Sequence, residues 1–174
     1  MSQIVPLVSH LAPDTISRLE RAAKNRYNDG ERSSSAPAGY LGAVYLFGYS
    51  AEMCLAAAYY RGSGFAPNDP IDRDTRHRRM AQARQIRTST GEPLMNSDPH
   101  PLVGWARFLE WQRSASPDLT DRERERLREA IHKAELIYKH WRPELRYKIR
   151  DVVQSQFGEV RKAAMWFIEH RGQL

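Results

Sequence analysis

The stretch YLGAVYLFGYSAEMCLAAAYY, residues 40–60, is apolar or small almost throughout and contains a single charged residue, Glu52. About 20 apolar residues are enough to cross a bilayer. The carboxylate near the middle and the five tyrosines of this stretch make exposure to lipid unfavourable. A helix that is apolar on all sides is ordinarily surrounded by protein. We therefore expect residues 40–60 to form the central helix of a bundle, or half of a dimer interface, and we expect no membrane association.

Four other segments repeat apolar residues at helical spacing. They lie at about residues 14–32, 102–116, 120–141 and 149–170. Asp14 is the predicted N-cap of the first segment, and Thr120 with Glu123 forms a capping box before the third. No strand alternation or internal repeat is apparent. The sequence therefore predicts an all-α fold, an antiparallel helical bundle of four or five main helices, as a single domain over residues 1–174.

A loop-rich, basic excursion from about residue 61 to 101 interrupts this pattern. Glycines and prolines lie at both of its ends, and arginines cluster in the middle. Clustered arginines are suited to phosphate contacts, although the absence of interleaved aromatic residues argues against a platform for stacked bases. A solvated loop is an equally good interpretation. The candidate nucleic-acid-binding residues are Arg73, Arg76, Arg78, Arg79, Arg84 and Arg87.

Composition narrows the class of protein further. Apolar residues make up 41% of the 174 residues, and 27 basic against 21 acidic residues give a net charge of +6. This charge permits nucleic acid, an acidic partner or a membrane surface as a ligand. The single cysteine, Cys54, excludes an internal disulfide framework and any CxxC motif, and the six histidines form no HExxH pattern. We expect a cytoplasmic protein with no metal and no cofactor.

Three pieces of the sequence, taken in order, resemble the HEPN family of helical domains, named for higher eukaryotes and prokaryotes nucleotide-binding. They are YLFGYSAEM at 45–53, HPLVGWARFL at 100–109 and WRPELRY at 141–147. The resemblance covers about residues 12–170. It implies a small cytoplasmic homodimer that binds RNA or a nucleotide in a bacterial toxin–antitoxin or defence system, with a nucleotidyltransferase-type antitoxin as a possible partner.

Catalytic members of that family are metal-independent ribonucleases that carry an arginine and a histidine, with four to six residues between them, near the start of the last long helix. An arginine can hold the scissile phosphate while a histidine moves a proton. In this chain only Arg126 and His132 have that spacing, and they lie upstream of WRPELRY. His132 also falls away from the apolar stripe of its helix, so we expect it to face solvent. The sequence therefore does not favour catalysis by this pair.

Glu52 needs a partner if it is buried, because an ionised carboxylate is costly in an apolar environment. Arg146 is the predicted partner, and Tyr147 is its neighbour in packing or hydrogen bonding. The three residues could orient a phosphate site or simply join two segments of the bundle. Three functions stay open: RNA or nucleotide binding, a non-enzymatic protein-interaction module, and a ribonuclease. The last requires Arg126 and His132, or a histidine from the other subunit of a dimer such as His100, to converge on one cleft.

Overall fold

The computed structural model describes residues 14–98, 100–142 and 152–174. Every regular element in these ranges is helical, and strand pairing there is limited to two isolated bridges. The all-α prediction is confirmed. The elements are α1 (Ile16–Ser33), a 3₁₀ turn (Pro37–Gly39), α2 (Tyr40–Gly62), α3 (Arg73–Gln85), α4 (Leu102–Ser114), α5 (Asp121–His140) and α6 (Gln154–His170). The predicted main helices are α1, α2, α4, α5 and α6, and the basic excursion contains the additional helix α3.

Side-chain caps explain where several helices begin. Thr120 and Glu123 make the predicted capping box at the start of α5. At α1 the cap is Thr15, whose hydroxyl accepts from the Arg18 N–H at 3.1 Å. The prediction of Asp14 as the cap was wrong by one residue. Asp14 instead uses its backbone carbonyl, which accepts from the Ile71 N–H at 2.6 Å and joins the chain before α1 to the chain before α3.

Helix α2 is the centre of the bundle. It packs against α1, α4 and α6, and its buried residues extend from Ala43 to Tyr60. Among the described residues, Pro37–Gly62 is the one helical stretch long and apolar enough to cross a membrane, and 67% of its apolar window is buried in protein. Burial against the other helices accounts for the apolar composition of α2.

The path of the chain sets the directions of the helices. Consecutive helices with short connections are antiparallel: in the α1–α2 pair, Glu20 pairs with Arg61 while Tyr27 packs on Phe47. The long excursion between α2 and α4 allows a parallel arrangement instead. Tyr59 stacks on Phe108 and Ser63 bonds Gln112, so α4 runs parallel to α2. Only a long crossover allows neighbouring helices to run in the same direction.

Trp141 locks the C-terminal end of α5 onto α2. Its side chain is fully buried, and its indole Nε1 donates to the Tyr45 carbonyl at 3.1 Å. Gly48 makes room for the ring, because a Cβ at that position would lie 2.3 Å from three ring atoms. Gly48 is therefore required by this close approach of α5.

Two glycines of α2 provide a matched test of this packing. Gly48→Ala should destabilise the protein by about 1–3 kcal/mol, because the new methyl group overlaps the Trp141 ring. Gly42→Ala meets no atom within 4 Å and should stabilise it by about 0.5–1 kcal/mol through the better helix propensity of alanine. Urea unfolding measures both. Equal effects of the two substitutions would contradict the close approach of Trp141.

Candidate functional site

Glu52 is buried in the middle of α2, with 3% of its surface exposed. Its Oε1 accepts from the Arg76 guanidinium at 3.2 Å, and its Oε2 lies 2.9 Å from His100 Nδ1. Arg76 comes from α3 and His100 from the loop before α4. Both carboxylate oxygens thus have partners, as a buried charge requires. One side chain of the central helix therefore holds two segments of the excursion.

These partners differ from the sequence prediction. Arg146 and Tyr147 lie outside the described residues, so their pairing with Glu52 stays a prediction. Arg76 was predicted as a phosphate contact, and His100 only as a histidine that the other subunit of a dimer could bring to a cleft. They lie 24 and 48 positions from Glu52. The sequence marked Glu52 as needing a partner, but a contact at such separation has no local pattern that identifies that partner.

His100 is held from several sides. Its backbone N–H donates to Asp98 Oδ1 at 3.2 Å, and Tyr138 of α5 donates to the other oxygen of Asp98 at 2.7 Å. The ring meets Tyr49 edge-on, with centroids 5.0 Å apart and Nε2 3.5 Å from the Tyr49 hydroxyl. Nδ1 is thus engaged by Glu52, and Nε2 lies on the Tyr49 side of the ring. The hydrogen bond with Glu52 raises the pKa of His100, against the lowering effect of its partial burial.

A cleft of about 710 Å³ lies between α3 and the segment that leads to His100. Asp72 caps α3 by accepting from the Thr75 N–H at 2.6 Å, and this sets where the basic face begins. None of the described residues that line the cleft is acidic. The lining residues are Arg73, Arg76, His77, Met80, Ala81, Arg84, Ser97 and His100. We call this space the arginine cleft.

The arginine cleft separates the six predicted phosphate contacts into two groups. Arg73, Arg76 and Arg84 line it. Arg78 and Arg79 do not, and they bond Thr75 and Gln82 along α3. Arg87 follows α3 and takes part in an isolated bridge with Pro93. The helix therefore points half of the arginine cluster toward one space.

A smaller cavity of about 160 Å³ adjoins the arginine cleft, and Arg76 and His100 line both. A third space, of about 360 Å³ between α4, α5 and the chain before them, is lined by both signs of charge, including Glu92, Glu135 and Lys139. The arginine cleft is thus the space whose charge best suits an anion. We call the 160 Å³ cavity the side pocket.

Arg126 and His132 line none of these three spaces. Arg126 donates to the Gln173 carbonyl at 3.2 Å, next to the end of α6. His132 is exposed on α5, as expected from its position off the apolar stripe. The geometry brings His100 into a cleft with arginines, and it leaves the Arg126–His132 pair outside it.

The described residues form no metal-binding cluster. No group of three or more His, Cys, Asp or Glu side chains is placed there to hold an ion. Cys54 is buried in α2, and burial raises the pKa of its thiol to about 12, so it is not a reactive thiolate. At the arginine cleft, the Glu52–His100 pair and the arginines are the side chains on which a function can be built.

Comparison of the chain with protein-family models, with curated proteins and with solved structures gives no match. The geometry of the arginine cleft is therefore the basis for assigning a function.

Substituting Glu52 by glutamine tests how the site is held. Glu52→Gln should lower the free energy of unfolding by about 1–3 kcal/mol, since charge-assisted hydrogen bonds are lost. The pKa of His100, measured by NMR titration, should fall toward its ordinary value of 6.5. In the unsubstituted protein the interaction that raises the pKa of His100 contributes its full stabilisation below pH 6.5. This contribution is lost as the pH rises through the pKa of His100 in the folded protein. Glu52→Gln should flatten this decline.

The control is Glu159→Gln, because Glu159 pairs with His140 at 3.0 Å and its side chain is 50% exposed. Removing an exposed carboxylate should change stability little and leave His100 unaffected. Unchanged stability and an unchanged His100 titration in Glu52→Gln would show that the pairing of Glu52 does not hold the site.

Proposed function

We propose that this protein is a HEPN-like helical domain that binds RNA or a nucleotide through its phosphate groups in the arginine cleft. The observation that carries the proposal is the lining of the cleft, where Arg73, Arg76 and Arg84 lie beside His100 and no described acidic residue lines the space. Arginine presents a planar fork of donors that matches phosphate oxygens. The predicted homodimer, the nucleotidyltransferase-type antitoxin, the cytoplasmic location and the defence setting stay expectations from the resemblance.

Charge placement supports phosphate binding over a general attraction to anions. Arg76 and His100 share the Glu52 carboxylate, which leaves Arg73 and Arg84 as the arginines of the cleft that have no ion pair among the described residues. Glu52 also fixes Arg76 and His100 before a ligand arrives. Groups that are already positioned lose less side-chain freedom when they bind.

The test is binding of a labelled single-stranded RNA, followed by fluorescence anisotropy over a salt series. Arg73→Gln/Arg84→Gln removes two positive charges from the cleft. The slope of log K against log salt should become shallower by about 1.4, which corresponds to about 25-fold weaker binding at 0.1 M salt. The matched control, Arg78→Gln/Arg79→Gln, removes the same charge from the same helix outside the cleft and should change the slope much less.

Two other outcomes would contradict the proposal. Equal losses in both double variants would show attraction by net charge without a cleft. No binding of RNA or nucleotide at low salt would overturn the proposal and favour the protein-interaction module.

The Glu52–His100 pair favours a second candidate function, metal-independent cleavage of RNA. Glu52 engages Nδ1 at 2.9 Å, and Nε2, whose contact with the Tyr49 hydroxyl is long at 3.5 Å, is the nitrogen that would accept the proton of a 2′-hydroxyl. The 2′-oxygen then forms a bond to phosphorus and the bond to the 5′-oxygen breaks. That oxygen takes up a proton from water, and the imidazolium returns its proton to solvent. Cleft arginines would stabilise the charge that develops on the phosphate oxygens. The products are a 2′,3′-cyclic phosphate and a 5′-hydroxyl.

Cleavage is tested by incubating end-labelled RNA with the protein in the presence of a metal chelator and analysing the fragment ends. His100→Gln should abolish cleavage. His140→Gln should not, although it also removes a histidine paired with a glutamate. Intact RNA at all pH values would rule out this second function and leave the binding proposal standing. Cleavage that survives in His100→Gln but is lost in His132→Gln would assign the chemistry to the Arg126–His132 pair.

A further inference from the structure

The side pocket has a different character from the arginine cleft. One wall is apolar and is built by α1 and α2, with Leu19 and Ala22 facing Met53 and Ala56. Tyr49 adds an aromatic ring, and Asp14 and Arg18 bring polar groups to the lining. The pocket therefore combines an apolar interior with a few polar groups, which is the usual make-up of a small-molecule site.

The size of the side pocket limits what can enter it. The volume of about 160 Å³ is roughly five times the 30 Å³ that one water molecule takes up in the liquid, so the pocket admits one small group. A nucleobase is of this size. A folded protein segment or a second base would not fit with it.

The position of the side pocket links it to the arginine cleft. Arg76 and His100 line both spaces, and Glu52, which pairs with both residues, lines the side pocket. A ligand with a phosphate at Arg76 and His100 can therefore place its remaining part in the apolar pocket on one side or in the cleft on the other. A nucleotide combines an anionic phosphate with a planar aromatic base in one small molecule.

We propose that the side pocket binds the base of a nucleoside phosphate whose phosphate is held by Arg76 and His100. This inference rests on the proposed phosphate-binding function and adds to it a pocket for the base. In an RNA ligand the base in the pocket belongs to one nucleotide, and the rest of the strand follows the arginine cleft. The absence of interleaved aromatic residues in the basic segment is then no obstacle, because Tyr49 of α2 and the apolar wall of α1 receive the base.

The experiment compares two ligands with the same phosphate, AMP and ribose 5-phosphate. Their dissociation constants are measured by calorimetry and by displacement of labelled RNA. AMP should bind about ten-fold more tightly, since a stacked base adds roughly this much or more. Ala22→Leu fills the pocket from the partly exposed face of α1 and should weaken AMP binding to the level of ribose 5-phosphate. It should leave ribose 5-phosphate binding unchanged.

Asn25→Leu is the matched control, because it adds the same side chain to an exposed position of α1 that does not line the pocket. Circular dichroism checks the fold of both variants. If Ala22→Leu fails to fold, the comparison of AMP with ribose 5-phosphate on the unaltered protein still decides. Equal binding of the two ligands, or failure of both to displace RNA, would overturn the side-pocket inference while RNA binding stands. If the protein binds none of the three ligands, neither RNA nor AMP nor ribose 5-phosphate, the proposed function itself is overturned.

Discussion

The burial of one carboxylate in the central helix is the constraint on which the rest of this structure depends. Glu52 lies in a helix whose other buried residues are almost all apolar, so its charge needs compensation from outside that helix. Arg76 and His100 supply it from two places in the excursion. The same contacts that satisfy Glu52 bring a basic helix and a histidine loop against the bundle. A structural need of the core thereby creates the walls of the arginine cleft.

The aromatic packing around α2 gives this arrangement its rigidity. Trp141 sits on Gly48, and its ring lies edge-on to Tyr49 at 5.4 Å between centroids. Tyr49 in turn meets the His100 ring. The end of α5 is therefore connected to the candidate site through two rings, and Tyr138 of the same helix reaches Asp98 beside His100. Binding groups held in this way need little rearrangement when a ligand enters.

Sequence reasoning was most accurate where the information is local. The period of the apolar residues located the main helices, and Thr120 with Glu123 marked the start of α5 within one turn. The cap of α1 was misassigned because Asp14 and Thr15 are both good capping residues, and the choice depended on the pairing of Asp14 with Ile71. The arginine cluster was recognised as a group of six residues, five of which lie in α3. Which of them share a cleft depends on how α3 rotates against the bundle, and composition holds no information about that.

The sequence by itself determined the all-α class, the central role of residues 40–60 and the need of Glu52 for a partner, because helical period and the cost of a buried charge are properties of a single segment. Only the tertiary structure decided that the partners are Arg76 and His100, that α4 runs parallel to α2, and that Arg73, Arg76 and Arg84 face one space. These are contacts between segments far apart in the chain. They form when several helices pack together, because the position of each helix then depends on the volumes and charges of all its neighbours.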